Sequence, residues 1–391
     1  MASWRRITGL AGLAAGAAAA GAGAIVAAER IAVGHVRVIR SAAEPEPLGS
    51  LRGRVLTVLA DDGVPLHVEI DEPAGAGGPG ETGPRGAGPR GAGPRGAGPR
   101  GTGREQGDQV TIIFCHGYTL NQDSWHFQRR DIGGHRLVFW DLRDHGRSGR
   151  SPGGPASIDR LGADLGLVIR AVAPGDMPVV LVGHSMGGMT IMALAARNPG
   201  LFGTKVTGVV LISTAAGGLD AGSPWMPGPL RAVLQRTVPV MLRAAATGHR
   251  AILVERGRAA VSELAFLSTR YIGFGDPEVN PVVVDFLEQM IRSTPIDVIA
   301  AYSQALYEHD MRATLPVLGR VPVTVLVSER DRLISPALGL ELAAQIPGAD
   351  LVWVPGAGHA LLLERPGLVN EAIIALMARA STGRVARERS A

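Results

Sequence analysis

The sequence predicts an α/β fold, a mostly parallel sheet with helices on both faces and a helical cap inserted late in the chain. Three observations carry this reading. From Val110 onward, short apolar runs recur at Val110–Cys115, Arg136–Asp141, Pro178–Val182, Val206–Ile212, Val321–Val327 and Leu351–Val354. Strands buried on both faces read as near-continuous apolar runs rather than alternating ones. Helical patterns lie between most of them, at Ile158–Val172, Met186–Arg197, Pro336–Ile346 and Pro366–Ala378; such alternation is the signature of a parallel sheet with crossover helices. Finally, the alternation stops over residues 216–316, a stretch too long for a loop. Its periodicity is largely helical, and it holds Trp225, Phe266, Tyr271, Phe274, Phe286, Tyr302 and Tyr307.

The elements before Val110 are of other kinds. Arg54–Ile70 reads as a β-hairpin turning at Asp61-Asp62-Gly63, which adds antiparallel strands at one edge. Residues 73–108 form a Gly/Pro tract with GAGPR repeated every five residues. Collagen needs glycine at every third position, so this is not collagen; a disordered surface insertion is expected. Residues 1–40 hold an uncharged run from Ile7 to Ala28 behind Arg5-Arg6. That length can span a bilayer, but the run is mostly Ala and Gly, which insert weakly. A membrane anchor or uncleaved signal, a cleaved export signal and a soluble or peripheral helix are the readings it admits; the first two place the rest of the chain outside the cytoplasm. Membrane association through residues 7–28 and a cytoplasmic location are therefore both carried as expectations. The domain plan is a core in two parts, 41–215 and 317–380, split by the cap, with a flexible tail at 381–391.

Composition excludes several classes. The net charge is +4, and five arginines of the repeat (Arg85, Arg90, Arg95, Arg100, Arg104) account for more than all of it, since 4 − 5 = −1. A solvated basic loop explains these arginines, and no nucleic-acid partner is expected. The one cysteine, Cys115, lies in the apolar run VTIIFC, which suits a buried thiol and leaves no intrachain disulfide. No HExxH pattern or cluster of metal ligands occurs, so neither a metal nor a cofactor is expected. The stretch GAGGPG matches a dinucleotide loop in letters only, because no helix follows it.

The stretch VVLVGHSMGGMTIMALAAR, Val179 to Arg197, poses the functional question. In a chain with 54 glycines, Gly-x-Ser-x-Gly by itself means little. Its context means more: a strand ends at Val182, a helix opens at Met186, and Ser185 falls on the sharp turn between them. A serine hydroxyl becomes a nucleophile only beside a base, and the base needs an orienting acid. His359, in the glycine-rich VPGAGHALLLERP, is the histidine that follows a late strand, and Asp331 lies just past the strand ending near Val327. Glu329 is the fallback acid. The bland alternatives are a turn serine, a loop histidine and a surface or helix-capping aspartate.

The order Ser185, Asp331, His359 resembles that of the α/β-hydrolase superfamily, and the likeness extends over about Arg54 to Ala378. FCHGYTLNQDSW resembles the family's His-Gly-x turn after its third strand. The resemblance implies an oxyanion hole formed by the backbone N–H groups of Tyr118 and Met186. DLRDHGRSGRS resembles the family's Asp-x-Arg-Gly-x-Gly-x-Ser turn, departing at Asp144, where glycine is usual. The resemblance gives His116 and His184 structural roles, and His145 is expected to order its loop. The implied fold is the α/β-hydrolase fold. The implied function is a serine hydrolase, an esterase or lipase acting on an ester-type bond of a small, partly apolar substrate. The same motifs serve C–C hydrolases, acyltransferases and cofactor-free perhydrolases, and a non-catalytic ligand-binding protein is the alternative of another class. A serine nucleophile, rather than an aspartate, argues against the haloalkane dehalogenase and epoxide hydrolase branches.

Overall fold

The structure is a computed structural model that describes residues 47–73, 110–153, 155–219 and 262–388. The apolar segment 7–28, the arginine repeat and the first part of the cap, with Trp225, lie outside the described residues. Among the described residues no helix is long and apolar enough to cross a membrane.

Eight strands form one sheet. They are β1 (Arg54–Leu59), β2 (Pro65–Asp71), β3 (Thr111–Cys115), β4 (Arg136–Trp140), β5 (Val179–His184), β6 (Val206–Ile212), β7 (Val323–Ser328) and β8 (Asp350–Val354), in the spatial order β1-β2-β4-β3-β5-β6-β7-β8. β2 pairs antiparallel with both β1 and β4, and every other pairing is parallel. The hairpin expected at one edge is therefore present. It turns at Gly63, whose φ of 80° suits glycine, and Ala60 N–H donates to Val64 O at 2.9 Å.

The apolar runs divide by parity between two cores. Ile113, Cys115, Leu181 and Leu211 pack into one, with helices α2 (Ile158–Val172), α3 (Met186–Arg197) and α8 (Pro336–Gln345). Ile112, Phe114, Val182 and Ile212 pack into the other, with α1 (His126–Asp131) and α10 (Pro366–Glu388). Successive side chains of a strand face opposite sides, so only a sheet covered on both faces buries all of them. α2 starts where Ser157 accepts a hydrogen bond from Arg160 N–H at 3.4 Å, an N-cap.

The described part of the cap comprises α4 (Ser262–Gly273), α5 (Pro281–Ser293) and α6 (Ile296–Tyr307), inserted between β6 and β7. Short helices α7 (Leu315–Leu318) and α9 (Leu361–Glu364) complete the set. α6 sits against the core loops through side chains: the Tyr118 hydroxyl donates to Ile299 O, the Tyr302 hydroxyl lies 3.2 Å from Asp144 Oδ2, and Arg150 pairs with Asp297. At the C-terminal end, α10 continues past Ser381 to Glu388, into the stretch expected as a flexible tail.

Candidate active site

The register aligns the C-terminal ends of the parallel strands. Cys115 is opposite Gly183, His184 opposite Ile212, and Ser328 opposite Val354. The loops leaving β3, β5, β7 and β8 thus emerge along one rim, where open α/β sheets place their ligands.

Ser185 occupies the single residue between β5 and α3, with φ 52° and ψ −119°. A non-glycine residue held there stores about 1–3 kcal/mol of backbone strain. The surrounding structure enforces it. Ser185 N–H donates to Ile212 O at 2.9 Å, and its carbonyl accepts from the Thr214 hydroxyl at 2.8 Å and from Gly188 N–H at 2.9 Å. α3 also runs in backbone contact with β3, because a Cβ on Gly187 would lie 2.0 Å from the Cys115 carbonyl oxygen. Gly187, two residues after the serine, is thus required by space.

Asp331 and His359 are brought together from the loops after β7 and β8. Asp331 Oδ2 lies 2.8 Å from His359 Nδ1, while Oδ1 accepts from Leu333 and Ile334 N–H at 2.8 Å each. A carboxylate only accepts, so Nδ1 carries the proton and Nε2 is left as the acceptor nitrogen. Asp331 therefore both caps its turn and orients the imidazole. Glu329, the fallback acid, is exposed and turned to Gly356 N–H at 2.8 Å. The His359 carbonyl accepts from His184 Nε2–H at 2.9 Å, and the two rings are 4.9 Å apart. Since His184 directly precedes Ser185, this bond fastens the histidine loop to the serine turn. Ser185 Oγ makes no hydrogen bond among the described residues, and ligand-free sites often tighten such contacts only once substrate is in place.

Tyr118 and Met186 flank the same turn. Met186 is the first residue of α3, so its N–H has no partner within the helix. A Cβ on Gly117 would meet Ser185 Cβ at 3.3 Å, which puts the loop carrying Tyr118 directly against the serine. Neither N–H is bonded among the described residues. His116 is held neutral between Leu142 N–H, donating to its Nε2 at 2.9 Å, and the Gly117 carbonyl, accepting from Nδ1 at 2.8 Å. His145 bonds the Arg143 carbonyl at 3.0 Å and packs edge-on to Tyr302. Asp144 has φ 67°, the left-handed region that glycine adopts freely. Aspartate tolerates it here while accepting from Ser151 N–H at 2.6 Å and its hydroxyl at 2.8 Å. Among the described residues no group of three or more His, Cys, Asp or Glu is placed to hold a metal.

Buried imidazoles make the fold acid-sensitive. Burial pushes His116 and His184 down to about 3 and His309 down to about 4. Below pH 6.5 the unfolded chain takes up protons that the folded chain refuses, so stability falls with pH. At pH 5 each imidazole removes about 2 kcal/mol. Asp141 acts the other way: burial raises its carboxyl to about 6, which returns about 1 kcal/mol at pH 5. The three histidines win, and the urea midpoint is expected to drop sharply between pH 7 and pH 5. Equal midpoints at the two values would refute this.

Sequence reasoning did not single out two further residues at this rim. Thr214 holds the Ser185 carbonyl, and Glu364 accepts backbone N–H groups beside His359. Both act on backbone atoms, which leave no residue pattern to read.

The alpha/beta hydrolase family model matches residues 112–372. The chain is 28% identical over 272 residues to the pimeloyl-[acyl-carrier protein] methyl ester esterase of Xanthomonas axonopodis pv. citri, covering 68% of this chain and 94% of that one. It is 26% identical over 273 residues to the sn-1-specific diacylglycerol lipase ABHD11 of Mus musculus, covering 68% and 80%. Among solved structures, a thermophilic esterase from Thermogutta terrifontis superposes with a TM-score of 0.58 at 20% identity, over 84% of this chain and all of the other, a likeness of fold.

Proposed function

Because the chain belongs to the alpha/beta hydrolase family, we propose that it is a serine hydrolase that cleaves an ester-type bond of a small, partly apolar substrate through an acyl-enzyme. The single observation that carries the reading is the Asp331–His359 hydrogen bond of 2.8 Å, which fixes the tautomer a base needs on a loop tied to the turn of Ser185. In this mechanism His359 Nε2 takes the proton of Ser185 as Oγ attacks the carbonyl carbon. Asp331 stabilises the imidazolium that forms. The N–H groups of Tyr118 and Met186 receive the developing oxyanion, each donor contributing about 3–4 kcal/mol. His359 then protonates the leaving alcohol, and a water activated by the same imidazole releases the acid. The relatives named above are by name an esterase and a lipase, which supports an ester-type bond.

The test is hydrolysis of p-nitrophenyl esters from acetate to palmitate, together with fluorophosphonate labelling. Turnover with a chain-length optimum and a covalent adduct at Ser185 are expected. A folded protein that shows neither would overturn the proposal in favour of ligand binding without chemistry.

A further inference from the structure

We propose that Glu364 is a positioning residue for His359, acting through the cap, an inference that rests on the serine-hydrolase reading. Glu364 ends α9 and is buried. Its Oε1 accepts from Asp276 N–H at 2.7 Å and Gly275 N–H at 3.1 Å, and its Oε2 accepts from Gly358 N–H at 2.7 Å. Gly275 and Asp276 lie between cap helices α4 and α5, while Gly358 directly precedes His359. One carboxylate thus joins the cap to the histidine loop.

The cap stretch 273–276 engages the neighbours of both proposed catalytic groups. Beside His359, Ala360 N–H donates to Gly273 O at 2.7 Å, and Gly358 shares Glu364 with Gly275 and Asp276. Beside Asp331, Arg330 Nη1 donates to Gly275 O at 3.2 Å and Arg332 Nη1 to Phe274 O at 3.0 Å. The backbones are in direct contact: a Cβ on Gly275 would lie 2.4 Å from Gly356 O, and one on Gly358 2.4 Å from Gly275 N. Residues 273–276 therefore serve as a template on which the Asp331 and His359 loops are set, and Glu364 locks the template to the histidine side. Glutamine is a poor replacement, because its amide nitrogen donates and would face an N–H donor.

The test uses the full chain with Glu364→Gln, Glu364→Asp and Gly275→Ala, the last of which forces the same backbones apart while keeping the Glu364 carboxylate. The readouts are kcat and KM on the best p-nitrophenyl ester, the melting temperature, and the NMR signal of the His359 Nδ1 proton bonded to Asp331. For Glu364→Gln and Gly275→Ala, assayed well below melting, kcat is expected to fall about tenfold or more with KM within about twofold. The Nδ1 proton signal should broaden or vanish, and Glu364→Asp should recover part of the loss. A lower melting temperature with kcat and the Nδ1 signal unchanged would reduce Glu364 to a structural residue and overturn the proposal. Should Glu364→Gln not fold, Glu364→Asp decides by the same readouts. A wild-type chain that hydrolyses no ester and takes no fluorophosphonate refutes the serine-hydrolase reading, while the Nδ1 signal in the variants still decides the role of Glu364.

Discussion

Replacing Ser185 by glycine is expected to abolish ester hydrolysis while stabilising the protein. Removing Oγ removes the proposed nucleophile, and comparable deletions in serine hydrolases lower kcat by about 10⁴–10⁶-fold. The gain in stability comes from the backbone. At φ 52° and ψ −119°, Ser185 holds a conformation that a Cβ disfavours. Glycine relieves about 1–3 kcal/mol of strain and loses about 1 kcal/mol to its greater freedom when unfolded, leaving a net gain of about 1 kcal/mol. Ser185→Ala keeps the Cβ, so it should be as inactive without the gain. Urea midpoints and p-nitrophenyl ester rates of the three proteins check both halves. A Ser185→Gly variant retaining more than about a hundredth of wild-type kcat would remove Ser185 from the chemistry. One less stable than wild type would show that the turn is not strained.

Replacing Asp331 by asparagine is expected to lower kcat by about 10³–10⁴-fold with little change in stability. The geometry dictates which way the amide turns. Leu333 and Ile334 both donate N–H to Oδ1 at 2.8 Å, so the asparagine oxygen stays there and its NH₂ group faces His359. A donor opposite Nδ1 forces the proton onto Nε2, and a protonated Nε2 cannot accept from Ser185. The fold keeps its turn cap, which is why the melting temperature should hold. A loss of less than about tenfold would mean that another group orients the imidazole. Glu329 is not placed to do so, since its carboxylate is committed to Gly356 N–H.

The sheet and its main helices were legible because their residues report burial directly. α2, α3 and β6 coincide with the ranges read from periodicity. β5 runs on to His184 because Gly183 and His184, which look like turn residues, still pair with Leu211 and Ile212. α1, sequence HFQRRD, was missed because it is short and half charged; its charges are spent on pairs such as Arg129 with Asp71 at 2.7 Å. At the site, Ser185, Asp331 and His359 could be picked out because each chemical type sits after a strand. Of what holds them, His184 was marked only by the family resemblance, and Thr214 and Glu364 left no mark, because they act on carbonyl and N–H groups that every residue possesses. Asp144 shows the reverse limit: the motif expects glycine there, and only the backbone angle explains why.

The position of the cap in the chain also bears on how the protein is made. β6 (Val206–Ile212) pairs with β5 on one side and β7 on the other, and β7 is encoded beyond the cap. A chain emerging from the ribosome therefore presents β6 as an open apolar edge until the insertion has been synthesised and β7 arrives. Such edges recruit other strands. The nascent protein passes through an interval in which β6 is open to self-association, whereas in the finished sheet β6 is enclosed and the edges are β1 and β8.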